Sequence, residues 1–266
     1  MAVALLARPF QSGMRLTVMR DLAVALVIRD LKLRYRRTVV GLAWSFIYPL
    51  GQVLVLSFVF TLVIPTRVGR YSAFVSIGVL VWTWFQSSLV MASTAITGNR
   101  ELVRRPGFPV SVLPIATVGT NLIQFLMAVP AIVGVVIFDG GHPGPTALLL
   151  PLVIAVQFLL TLGIAYMVAS LNVTFRDTQQ IVTLLLLLAF FLTPIFYDVG
   201  SVPAAYRLLY GLNPFVALLD AYRTVLVRGA FPDLTALGGV AMAAAFMGIA
   251  GHLLFTRASE RFADEI

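Results

Sequence analysis

Cysteine is absent from the 266 residues, and with it disulfides, thiolate metal sites and thiol catalysis. Lysine occurs once, at Lys32, and the two histidines, His142 and His252, stand far apart, so no metal site is expected. Charged residues make up 11% of the chain, against about 25% in an ordinary soluble domain. So few charges cannot clothe a water-exposed surface. That excludes a soluble enzyme, a disordered chain and a nucleic-acid-binding module. No G-x-x-x-x-G-K-[ST] loop is present, so ATP binding of the Walker kind is not expected here. H-E-x-x-H and G-x-S-x-G are missing as well.

What remains is apolar. The AVILMFWYC set makes up 60% of the chain and mean hydropathy is +0.97, which reads as an all-α integral membrane protein. A bilayer core of about 30 Å needs roughly 20 apolar residues at 1.5 Å each. Six charge-free runs supply the spans: 39–64, 71–98, 110–138, 147–173, 181–197 and 234–256, the fifth being short. Pro49, Pro130, Pro151 and Pro194 lie within or near them, where kinks are tolerated. None of the six holds a carboxylate. Proton- and sodium-coupled carriers place ionisable groups at mid-membrane, and lipid-diphosphate transferases cluster acids for Mg²⁺, so neither chemistry is favoured. The residues describe a passageway powered from elsewhere.

Lysine and arginine set the orientation. Residues 1–38, the loops after the second and fourth spans and the tail 257–266 carry fourteen; the opposite side carries five. Both termini are expected in the cytoplasm, and the first 38 residues do not read as a signal peptide. Residues 15–37 are helical in composition but too charged to insert. Asp21, Arg29, Lys32 and Arg36 share one face and Val24, Val27, Leu31 and Tyr35 the other, with Arg20 and Arg34 interrupting it. An amphipathic interfacial helix fits best, and a solvated helix held by a partner is the alternative. Residues 198–233 are too long and apolar for a plain outer loop. Two short helical patterns, 202–212 and 215–227, meet at Asn213-Pro214 and suggest a re-entrant external helical hairpin between spans five and six, or else a flat surface hairpin.

The order of motifs resembles a known family. Arg29-Asp30-Leu31-Lys32-Leu33-Arg34-Tyr35 leads into Val39-Val40-Gly41-Leu42-Ala43-Trp44-Ser45 and Tyr48-Pro49. Asn99-Arg100-Glu101-Leu102-Val103-Arg104-Arg105 follows, then Phe108-Pro109 and Leu113-Pro114. Arg176-Asp177, Thr193-Pro194-Ile195-Phe196-Tyr197 and Leu212-Asn213-Pro214 complete the series. Together these resemble the membrane permease subunit of type-2 ATP-binding-cassette exporters, in the branch that exports O-antigen, teichoic acid and other lipid-linked polysaccharides. The resemblance covers about residues 20–255.

It implies a single permease domain over 1–266 in the cytoplasmic (inner) membrane. Two copies would pair around a channel, with two cytoplasmic ATPase subunits below. ATP and Mg²⁺ would bind those partners and no cofactor this chain, which is a transport subunit and not an enzyme. Asn99, Arg100, Glu101, Leu102, Val103, Arg104 and Arg105 are the implied ATPase-coupling helix; a plain positive-inside loop is the alternative. Arg29, Lys32, Arg34, Arg36 and Arg37 are candidates for a lipid diphosphate or headgroups, since Arg forks match phosphate oxygens; ordinary topology-setting explains any one of them equally well. Trp44, Tyr48, Trp82, Trp84, Phe85, Phe190 and Phe191 are candidate channel aromatics, against interfacial belts and lipid contact. Asn213, Pro214, Asp220 and Arg223 are candidates for an external gate, with Asp220 and Arg223 facing the channel exit or each other. Ala244 and Gly248 are small enough to let the last span pack closely. Other readings are a drug or small-lipid exporter of the same family and, from another class, a membrane-bound lipid-glycan transferase.

Overall fold

The computed structural model describes residues 12–35, 44–63 and 68–265. Among them all regular structure is helical. Helix α1 runs over Ser12–Tyr35, and α2 over Trp44–Phe58 before a π turn at Val59–Val63. Helix α3 covers Tyr71–Ser93, α4 is a single turn at Arg100–Val103, and α5 covers Val112–Phe138. Helix α6 covers Leu150–Thr174 and α7 Thr178–Leu192. The short α8 (Arg207–Gly211) and α9 (Pro214–Arg223) precede α10 (Leu234–Ser259) and α11 (Phe262–Glu265).

Among the described residues, four stretches are long and apolar enough to cross a bilayer: Tyr71–Ser93, Val112–Phe138, Pro145–Thr174 and Leu234–Ser259. Of the expected span 39–64, α2 and its π turn supply 44–63; its first five residues and its last lie outside the described residues. The expected span 181–197 is an apolar helix of 15 residues, α7. It stops because Thr193 precedes Pro194, whose ring disfavours helical geometry, and Thr193 is extended with ψ 138°.

Helix α3 is the hub. Sixteen of its 23 residues are buried, as expected of a helix apolar on every side. It packs against α2, α5, α6, α7 and α9. Lipid tails are as apolar as leucine, so such packing in a bilayer is held by close fit and internal hydrogen bonds. Accordingly Gln157 of α6 donates through Nε2 to the Val81 carbonyl of α3 at 3.0 Å. The buried hydroxyls of Ser88, Thr117, Thr120 and Thr161 donate to carbonyls one turn back.

Helices α6 and α10 touch backbone to backbone. A Cβ on Gly163 would stand 2.5 Å from the Met247 carbonyl carbon, and one on Gly251 would overlap the Gly163 carbonyl oxygen. Gly248, singled out in the sequence, faces Leu159 beside this crossing, and Ala244 is fully buried. Helix α1 lies on α5 through Leu26, with Met19, Leu22, Ala23 and Val27 around it. The buried stripe is therefore rotated from the expected one: Val24 points outward, 51% exposed.

Candidate functional site: the coupling turn and the outer hairpin

At one end of the bundle, α3 unwinds into a 3-10 turn at Thr97–Asn99 and then α4. Val103 is buried with Leu26, Ile96 and Leu113, and Leu102 packs against the same cluster. These two apolar anchors hold the turn inward. Glu101, Arg104 and Arg105 remain exposed, and Arg100 donates to the Thr97 carbonyl at 3.2 Å. Gly107, at φ 80°, reverses the chain toward α5 in a conformation that favours glycine. A short rigid knob with a charged outer surface results.

Asn99 connects this knob to α1. Its Nδ2 donates to the Ala95 carbonyl at 2.9 Å, while its Oδ1 accepts from Arg29 Nη2 at 3.0 Å. Arg29 also pairs with Asp30 at 2.8 Å. Two groups of residues kept apart in the sequence, the turn at 99–105 and the basic N-terminal set, thus meet at Arg29. Arg34 lies against the Met91 sulfur at 3.6 Å and Lys32 is exposed. Arg36 and Arg37 lie outside the described residues.

Of the seven aromatics, Trp82, Trp84 and Phe85 are buried at 2%, 2% and 6% exposure. Within the single chain their rings pack against other side chains. Trp82 meets Phe85 and Phe215 edge to face at 5.4 and 5.3 Å, and Trp84 lies against Phe125 at 4.8 Å. Phe191 is exposed and Phe190 half-buried. Trp44 and Tyr48 fall in α2, but their side chains lie outside the described part. Sequence reasoning missed Phe196, whose ring contacts Phe60, Phe190, Phe191 and Tyr197 at 5.6, 5.8, 6.1 and 5.1 Å. The Thr193-Pro194 break that ends α7 was the available signal.

At the other end, the first half of the expected hairpin is less helical than its pattern: a 3-10 turn at Ala204–Tyr206 and the five residues of α8. Pro203 delays the start and Gly211 closes the end, leaving Leu208, Leu209 and Leu212 exposed. The second half is ordered by Asn213-Pro214. Asn213 caps α9, its Oδ1 accepting from the Phe215 amide at 3.0 Å, with Pro214 in the first turn where its missing N–H costs nothing. Its Nδ2 donates to Thr193 Oγ1 at 3.1 Å, tying α9 to the end of α7.

Arg223 and Asp220 do not pair with each other. Asp220 pairs with Arg228 at 3.2 Å on the surface. Arg223 is 5% exposed; its Nη2 donates to the Ile195 carbonyl at 2.9 Å and its Nε to the Phe74 carbonyl at 3.3 Å. Its guanidinium carbon stands 3.3 Å from the centroid of the Phe74 ring. Gly78 makes the space: a Cβ there would lie 2.7 Å from the Ile195 oxygen and 3.0 Å from Arg223 Nη2. Arg223 therefore locks α9 to α3 and to the chain after α7. Nearby, Asp139 at the end of α5 accepts from the Ala73 amide at 2.9 Å and caps α3 from another loop, because Arg70, at φ 55°, has no capping side-chain bond of its own.

These two ends, a buried-anchor knob and the braced helix α9, joined through α3, sit within residues 22–227, and that stretch matches the ABC-2 type transporter family. The chain belongs to the ABC-2 type transporter family. The resemblance read from motif order is borne out. Among curated ABC-2 relatives, the O-antigen export system permease protein RfbA of Myxococcus xanthus is 34% identical over 93% of this chain and 96% of its own length. The protein of the same name from Klebsiella pneumoniae is 28% identical over 92% and 94%. The polysialic acid transport protein KpsM of Escherichia coli is 24% identical over 82% and 86%. The ABC-2 chain described here is thus a membrane-spanning transporter subunit.

Proposed function

We propose that this chain is the channel-forming permease half of an ATP-driven exporter that moves a lipid-linked polysaccharide across the cytoplasmic membrane. The chain acts as one permease domain with six spans and both termini in the cytoplasm. Two copies pair around the channel, and the hairpin 198–233 dips into the outer leaflet as a gate. ATP and Mg²⁺ are held by a separate ATPase, in line with the family and with the missing Walker loop. The polymer class follows the relatives named for O-antigen export and polysialic acid transport.

The observation that carries the reading is the knob. Val103 and Leu102 root it in the membrane helices while Glu101, Arg104 and Arg105 stand free at its tip. A positive-inside loop needs no such anchors; a lever that receives force does. Phe190, Phe191 and the aromatics of α2 are the channel-facing candidates. Arg29 and Lys32 meet the lipid diphosphate or headgroups at the same end as the knob.

The test is to purify the permease with its ATPase after Glu101→Lys or Leu102→Asp. Both changes should lower polymer export and stimulated ATP hydrolysis while membrane levels of the permease hold. Undiminished co-purification and hydrolysis would refute the coupling assignment.

A further inference from the structure

Helix α10 ends at the same end of the bundle as the knob, where Phe255 and Phe262 share the apolar cluster that holds Val103, and the chain continues into α11. Phe262 is buried against Phe255 with ring centroids 5.3 Å apart, and Phe255 lies against Tyr166 of α6 at 5.0 Å. Next to these rings is an open cavity of about 290 Å³ between α6, α10 and α11. Leu254 and Phe262 give it an apolar wall, and Arg257, Arg261, Thr174 and Glu265 its polar lining.

The charges there are unspent. Arg257 on the last turn of α10 and Arg261 in the turn before α11 both line this cavity. Neither side chain makes an ion pair or hydrogen bond among the described residues. Glu265 is engaged by the Thr174 hydroxyl at 3.1 Å. Two free guanidinium groups over an apolar wall suit a molecule that is an oxyanion at one end and hydrocarbon at the other. We propose that this cavity binds the headgroup of an anionic glycerophospholipid. Arg257 and Arg261 hold the phosphate, since guanidinium forks match its oxygens and basic pockets between membrane helices take such headgroups. The glycerol end meets Leu254 and Phe262. A cavity of this volume is at the small end of ligand sites, which leaves the acyl chains outside, along the exposed Leu253 and Leu254 of α10. The cytoplasmic leaflet follows from the orientation proposed above; the test below reads binding alone, so an inverted topology would leave its outcome unchanged.

The full-length permease is released from maltoside micelles containing phosphatidylglycerol and its retained lipid counted by native mass spectrometry. Removing both guanidinium groups by Arg257→Gln with Arg261→Gln should weaken retention about thirtyfold, and the double change to Lys should retain an intermediate amount. Arg104→Gln with Arg105→Gln removes the same charge from the same end and should leave retention unchanged. Excess inorganic phosphate should not displace the lipid. Equal retention by the Arg257/Arg261 double Gln variant, equal loss in the Arg104/Arg105 variant, or displacement by inorganic phosphate would each overturn the proposal. So would, in the Arg257/Arg261 double Gln variant, lipid retention that survives while ATPase co-purification is lost, since the cavity would then be a protein contact.

Discussion

Arg223 covers the ring of Phe74, its guanidinium carbon 3.3 Å from the centroid, and from there it reaches two carbonyls on two different segments. One cation joins α9, the start of α3 and the chain that follows α7. Charge-assisted hydrogen bonds of this kind are worth about 1.5–3 kcal/mol each, and a desolvated cation–π contact about 2 kcal/mol. Arg223→Ala should therefore lower the melting temperature of the purified permease by about 10 °C or more. Arg223→Lys, which lacks the fork, should fall between. Melting of Arg223→Ala within a degree of wild type would show that the guanidinium is not a brace.

Asn213 joins two elements with one side chain. Asn213→Asp keeps the acceptor for the Phe215 amide and loses the donor to Thr193. Asn213→Ala loses both, and a lost N-cap costs about 1 kcal/mol. Export by strains carrying each variant should fall in the order wild type, Asp, Ala, with membrane levels preserved. Normal export by Asn213→Ala together with Pro214→Ala would remove the break from the gate.

The contact between α6 and α10 tolerates no side chain. Gly163→Ala and Gly251→Ala should each cut the yield of folded, monodisperse protein severely, because a Cβ at either meets backbone. Gly238→Ala and Gly239→Ala, on the same α10 with open space around them, should behave as wild type. Size-exclusion profiles in detergent report the difference. Equal yields for the two pairs would contradict the crossing.

Orientation is testable with an impermeant thiol reagent in intact cells, since the chain has no cysteine of its own. Glu260→Cys should resist labelling and His142→Cys should react; both positions are exposed. The reverse pattern would invert the topology.

Much of this architecture was legible in the residues. Charge-free runs mark the long helices, because no other element survives in lipid, and Asn213-Pro214 marks a helix start for reasons local to the chain. Partners distant in sequence were not legible. Nothing near Arg29 announces Asn99, and nothing in α6 announces that Gly163 meets Gly251. Arg223 looked in need of a carboxylate or water, yet its partners are the Ile195 carbonyl past the break in α7 and the Phe74 carbonyl in the first turn of α3. Trp82, Trp84 and Phe85 stand in an apolar run that reads the same whether it lines a channel or fills a core. Within the single chain all three side chains are buried.

In the function proposed, this permease carries a lipid-linked polysaccharide outward under ATPase power through the knob at 99–105. The most direct measurement is surface polysaccharide on cells lacking the chain, complemented with wild type or Glu101→Lys at matched membrane levels. The deletion strain should show no surface polymer and accumulated lipid-linked polymer inside, with full recovery by wild type and little recovery by Glu101→Lys. Unchanged surface polymer in the deletion strain would contradict that function.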